Sequence, residues 1–79
     1  MQEVEERIRG LFVKSFDMKP EEITLEANLR NDLEMDSTEV VELVLALEQE
    51  FEIKLGDDEI TNRHCVGDVT RVVQDKLRQ

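Results

Sequence analysis

The chain has 79 residues, about half the length of an average domain, so residues 1–79 are expected to form a single domain with one core. Hydrophobic residues make up 39% and charged residues 38%, which suits a soluble globular protein better than a fibrous or disordered one. Ten basic against twenty acidic residues give a formal net charge of -10, which disfavours nucleic acid and anionic lipid as partners and favours a basic protein surface. So small a core leaves little room for a catalytic cleft, so a binding or carrier role is favoured over an enzyme.

The negative charge is concentrated in the middle of the chain. Residues 32–59 contain eleven acidic residues and one basic residue, whereas the flanks contain nine of each. A solvated face is the ordinary interpretation of such a run, but balanced flanks favour an interaction surface. No stretch approaches the ~18 apolar residues of a membrane span, and a single cysteine permits no intramolecular disulfide. A cytoplasmic protein in a reducing compartment is therefore expected.

The first predicted element is an amphipathic helix from about Glu3 to Phe16. Its apolar residues recur every three or four positions: Val4, Ile8, Leu11 and Phe12. Residues 17–35 lack this period, and Lys19-Pro20-Glu21-Glu22 predicts a turn or a short helical start. The segment is expected to be a long ordered loop held across the core by four aliphatic side chains: Ile23, Leu25, Leu29 and Leu33.

A second helix is predicted from Ser37 to about Phe51. Asp36 is its expected N-cap and Glu39 completes a capping box. Helical spacing predicts an inward stripe of Val40, Leu43, Val44, Leu47 and Phe51. The same spacing leaves Thr38, Val41, Glu42, Leu45 and Gln49 outward, with Glu39 and Glu48 on the flanks.

Beyond this helix, alternation of Phe51, Ile53 and Leu55 with charged residues predicts an extended exit that ends at Gly56, followed by one short helical turn at residues 57–61. A last helix is predicted from an apolar stripe of Val66, Val69, Val72, Val73 and Leu77. The predicted fold class is therefore all-α: a small four-helix bundle of three main helices and one short helix, with the long ordered loop between the first two.

The sequence gives little support for a catalytic site or a metal site. The Asp32-x-Glu34-x-Asp36 spacing suggests a calcium loop, but Ser37 stands where glycine belongs and Leu43 where a bidentate glutamate belongs. No metal site is expected, since the chain has one histidine, His64, predicted to be a surface residue, and one cysteine, Cys65, predicted to be a small buried hydrophobe. Ser37 also lacks a plausible base for nucleophilic catalysis.

The segment from Asp32 to Phe51 resembles the acyl carrier protein family around its prosthetic-group serine. The resemblance is carried by the pattern Asp32-Leu33-x-x-Asp36-Ser37-x-x-x-Val41-Glu42-Leu43-Val44-x-Ala46-Leu47-Glu48-x-Glu50-Phe51. Four further segments look like family positions at family spacing: Glu5-Glu6-Arg7, Asn28-Leu29, Asp57-Asp58-Glu59 and Val66-Gly67-Asp68.

The resemblance implies that Ser37, next to Asp36, is the attachment point for 4'-phosphopantetheine, which a separate transferase transfers from coenzyme A. The thiol of this arm would carry acyl groups as thioesters in fatty acid or related biosynthesis. The free N–H groups of a helix N-terminus suit the arm's phosphodiester. The family also implies an acyl cavity, for which the candidate lining residues, equally interpretable as ordinary core, are Leu29, Val40, Leu47, Ile60 and Val69.

The implied partners are the phosphopantetheinyl transferase and acyl-transferring and acyl-modifying enzymes with basic docking patches, and the carrier itself is expected to be a monomer. The residues expected to meet them are Glu39, Val41, Glu42, Leu45 and Glu48. The chain departs from the family at Thr38, where leucine is usual, and at Met35, where a small residue is common. Two alternatives stay open: a carrier dedicated to a polyketide, lipid or amino-acyl pathway, and an unmodified acidic interaction module in which Ser37 is only a cap.

Overall fold

Three α-helices and one short 3-10 turn make up the regular structure of a computed structural model, which describes residues 2–56 and 58–78. In chain order these are α1 (Gln2–Phe16), the 3-10 turn (Pro20–Glu22), α2 (Ser37–Phe51) and α3 (Val66–Leu77). Within the described residues the only β-type pairing is a single antiparallel bridge between Asn28 and Cys65. The predicted all-α fold is confirmed.

The core is formed by the predicted apolar stripes of the three helices. Ile8 and Phe12 of α1 are fully buried, as are Leu43 and Leu47 of α2 and Val69 of α3. Four further stripe residues are half-buried against this core: Val4, Leu11, Val44 and Val72. The prediction is wrong for Leu77, which is 44% exposed. Leu77 is the last residue of α3, and the end of this helix extends beyond the core.

The segment between α1 and α2 is an ordered crossing, as predicted. Ile23, Leu29 and Leu33 are buried, and Met35 closes the segment at 1% exposure. Leu25 is the exception, with 39% of its side chain exposed. At this position the backbone lies against the first turn of α3, and the residue is left at the surface.

A close approach to α3 explains the position of Leu25. The Leu25 carbonyl accepts a hydrogen bond from the Gly67 N–H at 2.9 Å. A Cβ atom on residue 67 would lie 3.1 Å from that carbonyl oxygen, which is tighter than side chains ordinarily accept. Glycine at position 67 therefore lets the loop backbone lie directly on the first turn of α3.

The fourth helical piece of the fold is the 3-10 turn, which begins at Pro20 as the sequence indicated. The short helical turn predicted at residues 57–61 begins on Asp57, which lies outside the described residues. Residues 58 and 59 form a turn in which the Glu59 N–H donates to the Gly56 carbonyl at 3.2 Å, and residue 60 is a bend. One such bond closes a turn but does not propagate a helix.

The start of α3 differs from the sequence-based expectation in two side chains. Cys65 is half-buried at the N-cap, and its backbone N–H and its thiol both donate to the Asp68 carboxylate, at 3.2 and 3.4 Å. His64 is also half-buried, and its Nδ1 accepts a hydrogen bond from the Thr61 N–H at 3.0 Å. Both residues therefore shape the helix entry instead of serving as core filler and solvent-exposed surface.

Candidate functional site

The loop that leads to Ser37 is organised by one side chain, Asn28. Its Oδ1 accepts hydrogen bonds from the N–H groups of Arg30 and Asn31 at 3.0 and 2.8 Å. Its Nδ2 donates to the Arg63 carbonyl at 3.0 Å, which ties the loop to the segment before α3. The Asn28 backbone adds a bond from its N–H to Asp32 Oδ2 at 2.7 Å. Asn28 therefore fixes both the shape of the loop and its distance from α3.

Two further backbone contacts bring the end of this loop to α2. The Leu29 N–H donates to the His64 carbonyl at 3.0 Å, and the Met35 N–H donates to the Leu29 carbonyl at 2.8 Å. Glu34 between them has a left-handed backbone, with φ of 55°, which reverses the chain just before the helix. Asp36 and Ser37 therefore follow directly after a turn whose backbone is held by hydrogen bonds.

Ser37 is the first residue of α2 and is exposed. Asp36 caps the helix by accepting the Glu39 N–H at 2.8 Å, while the Glu39 carboxylate accepts the Asp36 N–H at 3.2 Å. This is the predicted capping box, and it is confirmed. Because Asp36 does the capping, the Ser37 side chain is not needed for the helix, and both it and Thr38 are exposed.

The geometry at Ser37 fits a phosphodiester. The first N–H groups of an α-helix have no acceptor within the helix and carry roughly half a positive charge. An ester on the Ser37 hydroxyl would place phosphate oxygens beside these groups. No side chain of the described residues has to move to expose the hydroxyl, since Asp36, Ser37 and Thr38 all face solvent.

The outward face of α2 starts at Ser37 and combines acidic and apolar side chains. Val41 is 58% and Leu45 is 53% exposed, and no contact with the core accounts for their apolar character. Glu42 is exposed beside them, and Glu39 and Glu48 are half-buried on the flanks. The structure therefore places all five candidate docking residues on one helix, in the register that the spacing predicted.

An apolar groove of about 330 Å³ runs along α2 and shares Val41, Leu45 and Glu48 with the candidate docking residues. Its lining residues come from α2 and from the chain between α2 and α3: Val40, Val41, Val44, Leu45, Glu48, Leu55, Gly56 and Ile60. Two of the five candidate cavity residues, Val40 and Ile60, line this groove. The other three, Leu29, Leu47 and Val69, are fully buried in the core and lie outside its lining.

Sequence reasoning missed Leu55 and Gly56 as groove residues. The signal was present in the alternation after Phe51, which the structure keeps as half-buried Ile53 and Leu55 between exposed Glu52 and Lys54. The alternation could not indicate that residues 53–56 would contact α2 and that two of them, Leu55 and Gly56, would line the groove.

Two carboxylates fasten that segment over the groove. Glu48 accepts the Leu55 N–H at 2.9 Å, and Glu59 accepts the Gly56 N–H at 2.6 Å. Glu59 also forms an ion pair with Lys76 of α3 at 3.0 Å. The Gly56 N–H, followed by Lys76, holds the pKa of the Glu59 carboxyl below its usual value. The pKa of Asp68 is likewise lowered, chiefly by the hydrogen bond from the Cys65 N–H.

Neither a metal site nor a membrane span emerges from the described residues. Among residues 2–56 and 58–78 no group of three or more histidine, cysteine, aspartate or glutamate side chains is arranged to hold a metal ion. No helix in this part of the chain is long and apolar enough to cross a bilayer.

The crowding of carboxylates around α2 leads to a prediction for stability. Residues 32–59 hold eleven acidic residues and one basic residue, and folding brings these charges closer together than in the unfolded chain. We expect the melting temperature to rise with added salt or millimolar magnesium, because both screen the repulsion. Calorimetry across salt and magnesium titrations measures this, and a flat melting temperature would show that the carboxylates do not repel one another appreciably.

Comparison with known proteins agrees with this geometry. Residues 6–73 match the family model described as "Phosphopantetheine attachment site". An acyl carrier protein of Phenylobacterium zucineum is 39% identical over 77 residues, covering 98% of each chain. Acyl carrier proteins of Amoebophilus asiaticus and Caulobacter vibrioides are 35% identical over 79 residues and 37% identical over 76 residues, covering at least 96% of each chain. The chain belongs to the acyl carrier protein family, whose members carry a covalently attached 4'-phosphopantetheine.

Proposed function

We propose that Ser37 carries the 4'-phosphopantetheine arm and that the protein moves acyl groups, held as thioesters on the arm's thiol, between soluble enzymes of fatty acid or related biosynthesis. The observation that supports this most is the accessible Ser37 hydroxyl at the N-terminus of α2, where Asp36 leaves it free of any capping duty. In this role the protein is a carrier without catalysis of its own. The transferase supplies the base that takes the hydroxyl proton as the Ser37 Oγ attacks the pyrophosphate of coenzyme A, so that the new O–P bond forms while the pyrophosphate P–O bond breaks and adenosine 3',5'-bisphosphate leaves.

The groove beside α2 is proposed to shelter the acyl chain. Val40 and Ile60 contribute apolar walls within reach of the first turns of α2. Leu29, Leu47 and Val69 are fully buried in the core, so an acyl chain that reached them would have to displace packed core side chains. The groove is therefore the part of the predicted cavity that needs no rearrangement.

The proposed partners are the transferase and acyl-transferring or acyl-modifying enzymes with basic docking patches, met by a monomeric carrier in the cytoplasm. Glu39, Glu42 and Glu48 would steer a basic surface toward Ser37, while Val41 and Leu45 supply apolar contact that becomes buried on arrival. A carrier dedicated to a polyketide, lipid or amino-acyl pathway is the second candidate. Exposed Thr38 favours it, because a partner that approaches Ser37 meets a hydroxyl there instead of an aliphatic side chain.

Intact-mass measurement tests the attachment site. Co-expression with a broad-specificity phosphopantetheinyl transferase is expected to add one phosphopantetheine to the wild-type chain and none to Ser37→Ala. The stability cost of Ser37→Ala is expected to be ~1 kcal/mol or less, because Asp36 still caps α2.

The chain offers a matched control for this experiment. Ser15, on α1, is the only other serine and is also exposed, so Ser15→Ala should be modified like the wild type. An unmodified wild-type chain would favour the interaction module in which Ser37 is only a helix cap. A mass gain in Ser37→Ala would place the arm elsewhere.

A further inference from the structure

A second concavity, separate from the apolar groove, opens beside Ser37. Its volume is about 510 Å³, and it is wide and shallow, as a site for a flexible polar chain would be. It is lined by Arg30, Glu34, Met35, Asp36, Ser37 and Asn62. Arg30 is the one cation in this lining, and two carboxylates share the space with it.

The backbone that carries Arg30 is firmly held. The Arg30 N–H donates to the Asn62 carbonyl at 3.2 Å and to Asn28 Oδ1 at 3.0 Å. The preceding residue, Leu29, is fully buried. The guanidinium therefore projects from a fixed point beside Ser37, and only its own side-chain torsions remain free.

The Arg30 guanidinium has no ion-pair partner among residues 2–56 and 58–78. Ion pairs within 4.0 Å are found in this part of the chain for Arg7 with Glu50 and for Lys76 with Glu59, but not for Arg30. Most basic side chains in this part of the chain share that property, and what distinguishes Arg30 is that it lines the concavity beside Ser37. The cation is thus free to bind an anion that arrives from outside the chain.

A phosphodiester on Ser37 creates a need for such a cation. It would add a negative charge, on phosphate oxygens two bonds from the Ser37 Oγ, within a segment that has eleven acidic residues and one basic residue. The N-terminus of α2 offsets part of the repulsion, but Asp36 and Glu39 stand in the same first turn. A guanidinium offers two parallel N–H donors that match phosphate oxygens, and such charge-assisted bonds are roughly twice as strong as neutral ones.

We propose that Arg30 binds the phosphodiester of the arm on Ser37 and thereby lays the first part of the arm into the concavity between Arg30 and Asn62. Arg30 is in this sense a positioning residue for the prosthetic group. The inference rests on the proposed attachment at Ser37, and it assigns to the chain a phosphate contact that lies outside α2.

The proposal is tested by comparing apo and holo forms of the wild type, Arg30→Gln and Arg63→Gln. Arg63 is the matched control, because it is exposed, follows Asn62 directly, lies outside the concavity and gives the same change in net charge. Phosphorus NMR of the holo forms and the apo-to-holo change in melting temperature are the readouts. We expect Arg30→Gln to shift the phosphodiester resonance and to make the apo-to-holo change in melting temperature less favourable than in the wild type, with Arg63→Gln close to the wild type. Arg30→Lys should retain part of both effects.

A measurement on the wild type needs no variant. The Arg30 Nε–H signal in a proton–nitrogen NMR spectrum should move when the apo form is converted to the holo form, and high salt should reduce that shift. An unmoved Nε–H signal, or equal responses of Arg30→Gln and Arg63→Gln, would overturn the role of Arg30. Failure of the wild type to gain mass would instead contradict the attachment at Ser37, so the two proposals fail on different observations.

Discussion

We expect Asn28→Ala to lower the free energy of unfolding by about 2–3 kcal/mol, a large fraction of the stability of so small a domain. The alanine loses three hydrogen bonds of the Asn28 side chain, two from backbone N–H groups and one to the Arg63 carbonyl. Each such bond contributes about 1 kcal/mol. Denaturant unfolding followed by circular dichroism measures the change.

The loss should also be visible in the loop before Ser37. Hydrogen exchange at the Leu29 and Met35 amides is expected to speed up more than exchange within α2, because these amides bond to the scaffold that Asn28 holds. Asn31→Ala is the control, since the Asn31 side chain is exposed and it is the Asn31 backbone N–H that bonds to Asn28. A cost for Asn28→Ala within the ~0.5 kcal/mol of an ordinary surface substitution would show that the loop is held by other contacts.

The second large effect is expected on the rate at which the transferase modifies Ser37. Glu42→Lys should slow modification about tenfold or more at low ionic strength and flatten its salt dependence, because electrostatic steering of association contributes 10-fold to 1000-fold to on-rates. Glu42 is exposed on the outward face, so the helix itself should be unaffected. Glu39→Lys should act in the same direction, although it also removes half of the capping box. Glu21→Lys, in the 3-10 turn outside the acidic segment, is the control for net charge.

The two apolar residues of the same face, Val41 and Leu45, are expected to affect docking in a way that does not depend on salt. Val41→Ala combined with Leu45→Ala should weaken docking at every salt concentration, because it removes contact area and leaves the charge unchanged. Helix content should survive in all of these variants, which circular dichroism checks. Modification of Glu42→Lys at the wild-type rate in low salt would place recognition elsewhere, and unfolding would show that the helical register is wrong.

Local patterns in the sequence predicted those parts of the fold that local physics decides. The period of α2 and the pairing of Asp36 with Glu39 depend on residues three or four positions apart, and the structure confirms both. The exposure of Val41 and Leu45 follows from the same period. The prediction that the Leu25 side chain is buried was wrong, because the position of Leu25 depends on its backbone contact with Gly67. Gly67 lies far along the chain, and the periodicity of nearby residues does not indicate this contact.

The candidate site divides in the same way. The position of Ser37 at the N-terminus of α2 could be predicted from its neighbours Asp36 and Glu39, and the resemblance to acyl carrier proteins indicated its chemical role. The hydrogen bonds of Asn28 and the concavity lined by Arg30 could not be predicted from the sequence, because they form only where the first loop contacts residues 62–64. Likewise, the groove is formed partly by Leu55 and Ile60, which come from the irregular chain after α2.

The contact between the first loop and the entry to α3 has a consequence for the order of events during synthesis. Hydrogen bonds join Leu25 to Gly67, Ala27 to Val66, Leu29 to His64 and Arg30 to Asn62, pairs that are 32 to 42 positions apart. A nascent chain that has emerged only as far as the end of α2 contains Ser37, its cap and the hydrogen bonds within the loop, but it lacks residues 62–67, which hold that loop from outside. Ser37 therefore acquires its final surroundings only after residues 62–67 have left the ribosome, so the finished site depends on a segment that is synthesised after α2.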